Sequence, residues 1–431
     1  MSPALHGGKC QFPRQSMIFK PSHRLPSLPR RGFLLALLIM CLMGCLDLTR
    51  GVSAPAMQAE WHLSFPLLGI LFSSNAIGYL IGSFLLGLVI DRVSLRGLLI
   101  LCGGVTVASI ALIVTASSYT LLLVAFIGLG LGTGGIEICI NGVVPRISDS
   151  TQLETKRFNT LHGMYGAGAT VFPLVASTLN RQAHSWHASY LWLGLAAGVF
   201  TLWSCVDQFQ RLKPRHHEES HQPVVQAVSV LPSGSPWKSL VLYCLTFAIS
   251  VYVMAEAGVA SWLPLYLVHS RGMGIVEASW FLTGFYLLFT IGRLSAPLWV
   301  HRLGNRVSTL MSAGFALLLL IAALTLHTSP ILFAVAGVGF AIIFPTIVAL
   351  ASEAFPKNTG HILGILFTAG GVGSMVTNSF IGFLAGAFGL QIALWALPCM
   401  MSLVILSLTL AFAIAARQKH AVHPAEMMPT S

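Results

Sequence analysis

Apolar residues run along this chain in long, nearly unbroken stretches, without the period-two alternation of half-buried strands. A helix needs about 20 such residues to cross a bilayer. On that criterion spans are predicted near 32–54, 65–90, 98–116, 120–143, 158–180, 189–207, 238–268, 277–300, 307–326, 331–352, 361–385 and 390–416. The longest connection, 208–237, is polar and Pro-rich, and it splits the chain into six spans plus six. In lipid each backbone N–H and C=O must find a partner inside the protein, which leaves helices once alternation is absent. The predicted fold is therefore all-α, twelve transmembrane helices arranged as two pseudo-symmetric six-helix bundles. The expected parts are a basic cytoplasmic tail (1–31), an N-terminal bundle (32–207), a cytoplasmic central loop (208–237), a C-terminal bundle (238–416) and a cytoplasmic tail (417–431).

Composition sharpens this picture. The chain is 55% hydrophobic and 9% charged, where a soluble domain carries roughly 25% charged residues. Such a surface has lipid as its natural solvent. Seven of the eight cysteines lie in or beside apolar runs and read as small buried hydrophobes, with no disulfide framework. The net charge of +11 points at first to nucleic acid, but its placement says otherwise. Of the 24 Lys and Arg, 20 fall on the side that receives both tails, the central loop and alternate short loops; Arg181 and Arg271 fall on the other, and Arg50 and Arg293 lie within spans. That asymmetry requires an even number of spans and places both termini in the cytoplasm of a cell-membrane protein. The positive charge reports topology, and no nucleic-acid partner is expected.

Two targeting look-alikes sit on the first span. Arg30-Arg31-Gly32-Phe33-Leu34 imitates a twin-arginine signal, and Leu42-Met43-Gly44-Cys45 a lipoprotein cleavage box. Both read as a positive flank followed by an ordinary first helix, because that span has a counterpart later in the chain. The residues before it are Pro/Ser-rich, basic and expected to be disordered, with Met17 as an alternative start.

The counterpart belongs to an internal repeat. Gly87-x-x-x-Asp91-Arg92-x-Ser94-x-Arg96 follows the second span, and Pro297-x-x-x-His301-Arg302-x-Gly304-x-Arg306 the eighth. Arg302 and Arg306 lie 210 positions after Arg92 and Arg96, and Gly292 lies the same distance after Gly82. Asp47 precedes Pro55 by eight residues, as Glu256 precedes Pro264. Repeated six-helix units are a transporter signature. The loop pattern resembles the Gly-x-x-x-Asp-Arg/Lys-x-Gly-x-Arg element of the major facilitator superfamily, with Ser94 in place of a glycine and His301 in place of the aspartate. The resemblance implies a cytoplasmic gate formed by Asp91, Arg92, Arg96, Arg302 and Arg306.

Ionisable residues inside a bilayer are costly and usually face a cavity or a partner. Asp47, Glu137 and Glu256 stand well inside spans, with Arg50 one turn from Asp47 on the same face. Gly130, Gly134, Glu137 and Asn141 form a small and polar stripe on the fourth span; Asn159, His162, Gly166 and Thr170 form another on the fifth, with Tyr165 beside it. On the seventh, Gly258, Trp262 and Tyr266 share a stripe next to Tyr252 and Glu256, and Pro264 is expected to interrupt the helix. Asn75 on the second span, and Thr368, Asn378 and Gly370-Gly371-x-Gly373 on the eleventh, complete the set. The glycines read first as packing surfaces. His216-His217-Glu218-Glu219-Ser220-His221 reads as a solvated linker, so no metal is expected, nor any cofactor.

A finer resemblance is to the fucose:proton symporter group, which includes glucose/mannose permeases. It rests on Gly134-Gly135-x-Glu137-x-x-x-Asn141, on Asn159-x-x-His162-x-x-Tyr165-Gly166-x-Gly168, on Ala255-Glu256-x-Gly258-x-x-x-Trp262-x-x-x-Tyr266 and on Gly292-Arg293. In that group an aspartate on the first span and a glutamate on the fourth couple protons to sugar, roles that carry over to Asp47 and Glu137, with Arg50 as the nearby cation. A carboxyl favours its neutral form in a dry cavity and its charged form once water or a cation reaches it. Asn75, Asn141, Asn159, His162, Glu256, Trp262 and Tyr266 supply polar and aromatic partners for a hydroxylated solute. The implied protein is a proton symporter for a neutral sugar or similar small polar solute, acting as a monomer and no enzyme. A proton-driven drug or metabolite antiporter, a sodium-coupled sugar transporter and a non-transporting sensor remain as alternatives. The antiporter's Gly-Pro signature on the fifth span is missing at Phe172-Pro173.

Overall fold

The computed structural model describes residues 28–90, 92–148, 150–206, 239–326, 329–355 and 359–422. Fourteen helices follow one another among them: α1 (Leu28–Trp61), α2 (Phe65–Val89), α3 (Leu95–Thr115), α4 (Tyr119–Ile147), α5 (Thr151–Ala183), α6 (His187–Val206), α7 (Leu240–Arg271), α8 (Ile275–Leu303), α9 (Asn305–Thr325), α10 (Ile331–Phe340), α11 (Ile343–Ala354), α12 (Thr359–Phe388), α13 (Leu390–Ala393) and α14 (Ala396–Val422). The helix starts are chemically marked. Ser94, Ser118 and Ser150 each accept an N–H from three residues on, at 3.2–3.3 Å, satisfying one of the donors a helix leaves open. At the other ends His184 and Gly272 make the left-handed exit, which glycine adopts without strain, and Gly304 turns with positive φ but extended ψ.

Two pairs of these helices are single crossings with a break. The sequence predicts an unbroken tenth span, but α10 and α11 part at Ala341–Ile342. Pro345 is the cause: it has no N–H for the carbonyl four residues back, at Ala341. Conversely, Pro264 does not interrupt α7, which runs continuously from Leu240 to Arg271. The carbonyl it frees, at Ala260, packs against Gly51 of α1, where a Cβ would collide with the oxygen. In both cases a proline-freed carbonyl is covered by another helix, as lipid demands. Counting α10–α11 and α13–α14 once each gives twelve crossings. Eleven are long and apolar enough to cross a membrane by composition alone. The twelfth, α5, is the most polar; at 33 residues it is about 50 Å long and lies along α1.

The packing repeats as the sequence does. α1 packs on α5, α2 on α4 and α3 on α4 and α6; α7 packs on α12, α8 on α10 and α9 on α10 and α14. Gly130 and Gly134 lie directly against the backbone of Asn75 and Tyr79, so the glycines of that stripe bring α4 close to α2. Between the halves, α2 meets α12, α5 meets α8 and α1 meets α7.

These meetings concentrate toward one end, the end that carries Arg181 and Arg271. There Gly69 fits against Asn378 and Gly382, and Pro66 against Gly386. Ser73 donates to the carbonyl of Met375 at 2.7 Å and accepts from the N–H and hydroxyl of Ser379 at 3.0 and 2.8 Å. At the end carrying Arg92, Arg146, Arg302 and Arg306, the halves separate. On α12 the lipid-exposed stripe is Val372, Val376, Phe380 and Phe383, yet Phe367, on the opposite face, is 51% exposed. Asn159, His162, Arg293 and Thr368 are likewise exposed. The molecule is thus sealed at the far end and open at its basic end.

Candidate functional site

Where the sealed and open ends meet, the charges within the spans converge. On α1, Asp47 is 38% exposed at its side chain and Arg50 is 12% exposed, with 3.9 Å between carboxylate and guanidinium. Arg50 reaches further, donating to Oδ1 of Asn75 on α2. The amide of Asn75 in turn donates to the Phe126 carbonyl of α4 at 3.2 Å. Asp47, Arg50, Asn75, Phe126, Thr133 and Tyr190 line a small cleft between α1, α2, α4 and α6.

Each of the first two carboxylates has a tyrosine from another helix. Tyr165 of α5 donates to Asp47 Oδ2 at 2.7 Å, and Tyr79 of α2 donates to Glu137 Oε2. Asp47 and Glu137 lie within electrostatic reach of one another. One turn beyond Glu137, Oδ1 of Asn141 is buried without a partner among the described residues.

The second half contributes Glu256 on α7, within electrostatic reach of Arg293 and Tyr252. Tyr252 donates to the Phe340 carbonyl at 2.9 Å. Tyr286 of α8 sits amid the whole group and feels Asp47, Arg50, Glu256 and Arg293. Arg293 donates its Nε–H to the Ala341 carbonyl at 3.1 Å and lies 4.3 Å above the Phe289 ring. Phe344 and Phe367 stack at 5.8 Å with only 6° between planes, giving the open half a flat aromatic wall.

The residues picked out by sequence therefore divide. Asp47, Arg50 and Asn75 line the cleft; Glu137 is held by Tyr79, Glu256 lies within electrostatic reach of Arg293, and Asn159 and His162 are exposed on α5 one turn apart. Trp262 and Tyr266 do not join them in this conformation: both are fully buried. Trp262 packs edge-on to Phe72 at 6.3 Å, and Tyr266 accepts a hydrogen bond from Arg271 at 3.0 Å. At the basic end Arg92, Arg302 and Arg306 are exposed and Arg96 is half-buried; Arg306 lies over Phe412 at 5.4 Å. Asp91 and the His216–His221 segment lie outside the described residues. Among the described residues there is no cluster of three or more His, Cys, Asp or Glu able to hold a metal. Sequence reasoning missed Tyr79, Tyr286, Phe344 and Phe367. For Tyr79 a signal existed, since it follows Asn75 by four residues and shares its face.

Two six-helix bundles related by an internal repeat, with charged groups held between them, define a membrane transporter. Comparison with known proteins names the family: the model described as Major Facilitator Superfamily matches residues 33–333, and the chain belongs to that superfamily. A "Protein TsgA homolog" from Edwardsiella ictaluri is 24% identical over 366 residues, covering 82% of this chain and 88% of that protein. Among solved structures, a bacterial homolog of the human lysosomal transporter Spinster, in an inward-facing and occupied conformation, aligns with TM-score 0.73 at 13% identity over 94% of this chain and all of that one. The nucleoside transporter NupG aligns with TM-score 0.70 at 14% identity over 90% and 99% of the two chains. A variant of the E. coli fucose:proton symporter FucP aligns with TM-score 0.58 at 18% identity over 89% and 99%. At these identities the solved structures establish the fold alone. The protein is a multi-pass membrane transporter and not an enzyme.

Proposed function

We propose that this transporter moves a small hydroxylated solute, of the sugar class, together with a proton by alternating access, in a cell membrane with its basic end in the cytoplasm. The observation that carries the reading is the pair of carboxylates, Asp47 and Glu137, each held within a span by a tyrosine of a neighbouring helix. A carboxylate beside a path that is alternately wet and dry changes its proton affinity with conformation. Arg50 adds a switchable partner, bonded to Asn75 and near Asp47. Asn141, Asn159, His162 and Glu256 offer hydrogen bonds to hydroxyl groups, and the Phe344–Phe367 wall offers a sugar ring an apolar face. The likeness to FucP, a fucose:proton symporter by its description, agrees with this assignment, and the likeness to NupG extends the candidate class to nucleosides. The open basic end corresponds to an inward-facing state, with Arg92, Arg302 and Arg306 exposed there and Arg96 half-buried, and closure of that end would bring the gate residues together.

Replacing Asp47 by Asn and Glu137 by Gln tests the assignment. Both variants should still exchange solute down its gradient but lose proton-driven accumulation. Undiminished accumulation in either variant would remove that carboxylate from the coupling path.

A further inference from the structure

Arg293 carries more than the coupling scheme uses. On α8 the lipid-exposed stripe is Leu287, Ile291, Leu294 and Leu298, whereas Arg293 falls on the opposite face with Tyr286 and Phe289, three- and four-residue steps apart. It is nonetheless exposed, so its water contact is with the opening between the halves at the basic end. Its Nε is committed to the Ala341 carbonyl, the one freed by Pro345, and its plane is laid over Phe289. That holds the guanidinium in place, and no hydrogen bond engages its two Nη groups among the described residues. Among the described residues no carboxylate comes within ion-pair distance of it, although Glu256 is near enough to feel its charge.

The imidazole of His162 faces it from the other half. Gly166 of α5 abuts Thr290 of α8. His162 is one turn from Gly166 toward the basic end, and Arg293 is one turn from Thr290 in the same direction, since the helices run antiparallel. The two side chains therefore face one another just below the point where the halves touch, and His162 feels the charge of Arg293. A fixed guanidinium fork with free Nη donors is suited to a carboxylate, which it can hold by two parallel hydrogen bonds. An imidazole opposite can donate a third.

We infer that the solute carries a carboxylate, held by Arg293 and His162 across the seam of the two halves, and that the preferred ligand is a sugar acid and not a neutral sugar. The inference rests on the proposed function in taking the solute to be a hydroxylated small molecule. A carboxylate bridging α5 and α8 would draw the open halves together, so the same contact links recognition to closure.

The test is ligand titration of the purified full chain in lipid nanodiscs, read by thermal stabilisation, with D-glucuronate and D-glucose as matched probes. D-glucuronate should bind tighter than D-glucose by roughly thirtyfold or more once closure buries the pair of Arg293 and the ligand carboxylate, the loss expected when a buried charge partner is missing. Arg293→Gln should erase that preference, Arg293→Lys should restore part of it, and His162→Asn should weaken it. Ligand-free melting of each variant reports whether it is folded, and the Lys variant decides the matter if the Gln variant is not. Tight binding of D-glucose with no preference for D-glucuronate would overturn the inference while leaving the proposed function standing. Binding of neither probe would overturn the inference and the sugar-class reading together.

Discussion

At the scale of single residues, carboxylates are held by phenols of neighbouring helices. Tyr79 donates to Glu137, while the hydroxyl of Tyr190, buried in the same bundle, has no partner among the described residues. Removing a hydrogen bond to a buried charged group costs about 1.5–3 kcal/mol, whereas removing a hydroxyl that bonds to nothing costs little. Tyr79→Phe should therefore lower thermal stability by that amount and Tyr190→Phe should leave it unchanged or raise it, as melting of the two purified variants will show. Equal losses would contradict the hydrogen-bond assignment. The carboxylates themselves were legible in the sequence, because an ionisable residue stands out in an apolar run. Their partners were not, because Tyr and Phe occur throughout membrane helices and only packing decides which way each faces. Trp262 and Tyr266 show the converse: their residue types and spacing fitted a binding stripe, and the fold buries both on the sealed side.

At the scale of helices, small residues decide where the two halves can touch. Gly69 and Gly382 allow α2 and α12 to meet backbone to backbone, and Ser73 and Ser379 tie them there. A side chain forced into such a contact costs typically 1–3 kcal/mol. Gly382→Val should accordingly shift the population away from the far-end-closed state by roughly tenfold, at about 1.4 kcal/mol per factor of ten. Distance measurements between spin labels on α2 and α12 would reveal it as a longer far-end separation, and an unchanged distribution would show that this contact does not set the closure. Helix number and order were readable from apolar runs, including the fifth span at 158–180, although α5 as a whole is too polar to count among the eleven long apolar helices. Helix continuity was harder to read. Pro264 and Pro345 look alike in sequence, yet α7 runs through one and the tenth crossing breaks at the other. The difference lies in what covers the freed carbonyl: the α1 backbone at Gly51 in one case, the side chain of Arg293 in the other.

At the scale of the whole molecule, the cleft opens at the basic end and the opposite end is closed. Basic loops favour the cytoplasm, so single cysteines at 159 and 367, placed in a cysteine-free background, should react with an impermeant thiol reagent from the cytoplasmic face. Added solute should protect them. Reaction from the other face alone would invert the orientation. The twofold plan was legible because two loops and two proline-bearing helices repeat at a nearly constant offset. The state of the cleft was not, since one sequence encodes both the open and the closed arrangement. The most direct test of the central claim is uptake into proteoliposomes of labelled sugars and sugar acids, with and without an inward proton gradient at constant sodium. Accumulation above equilibrium that requires the proton gradient is the predicted result. Uptake that only equilibrates, or that follows sodium instead, would contradict proton-coupled transport.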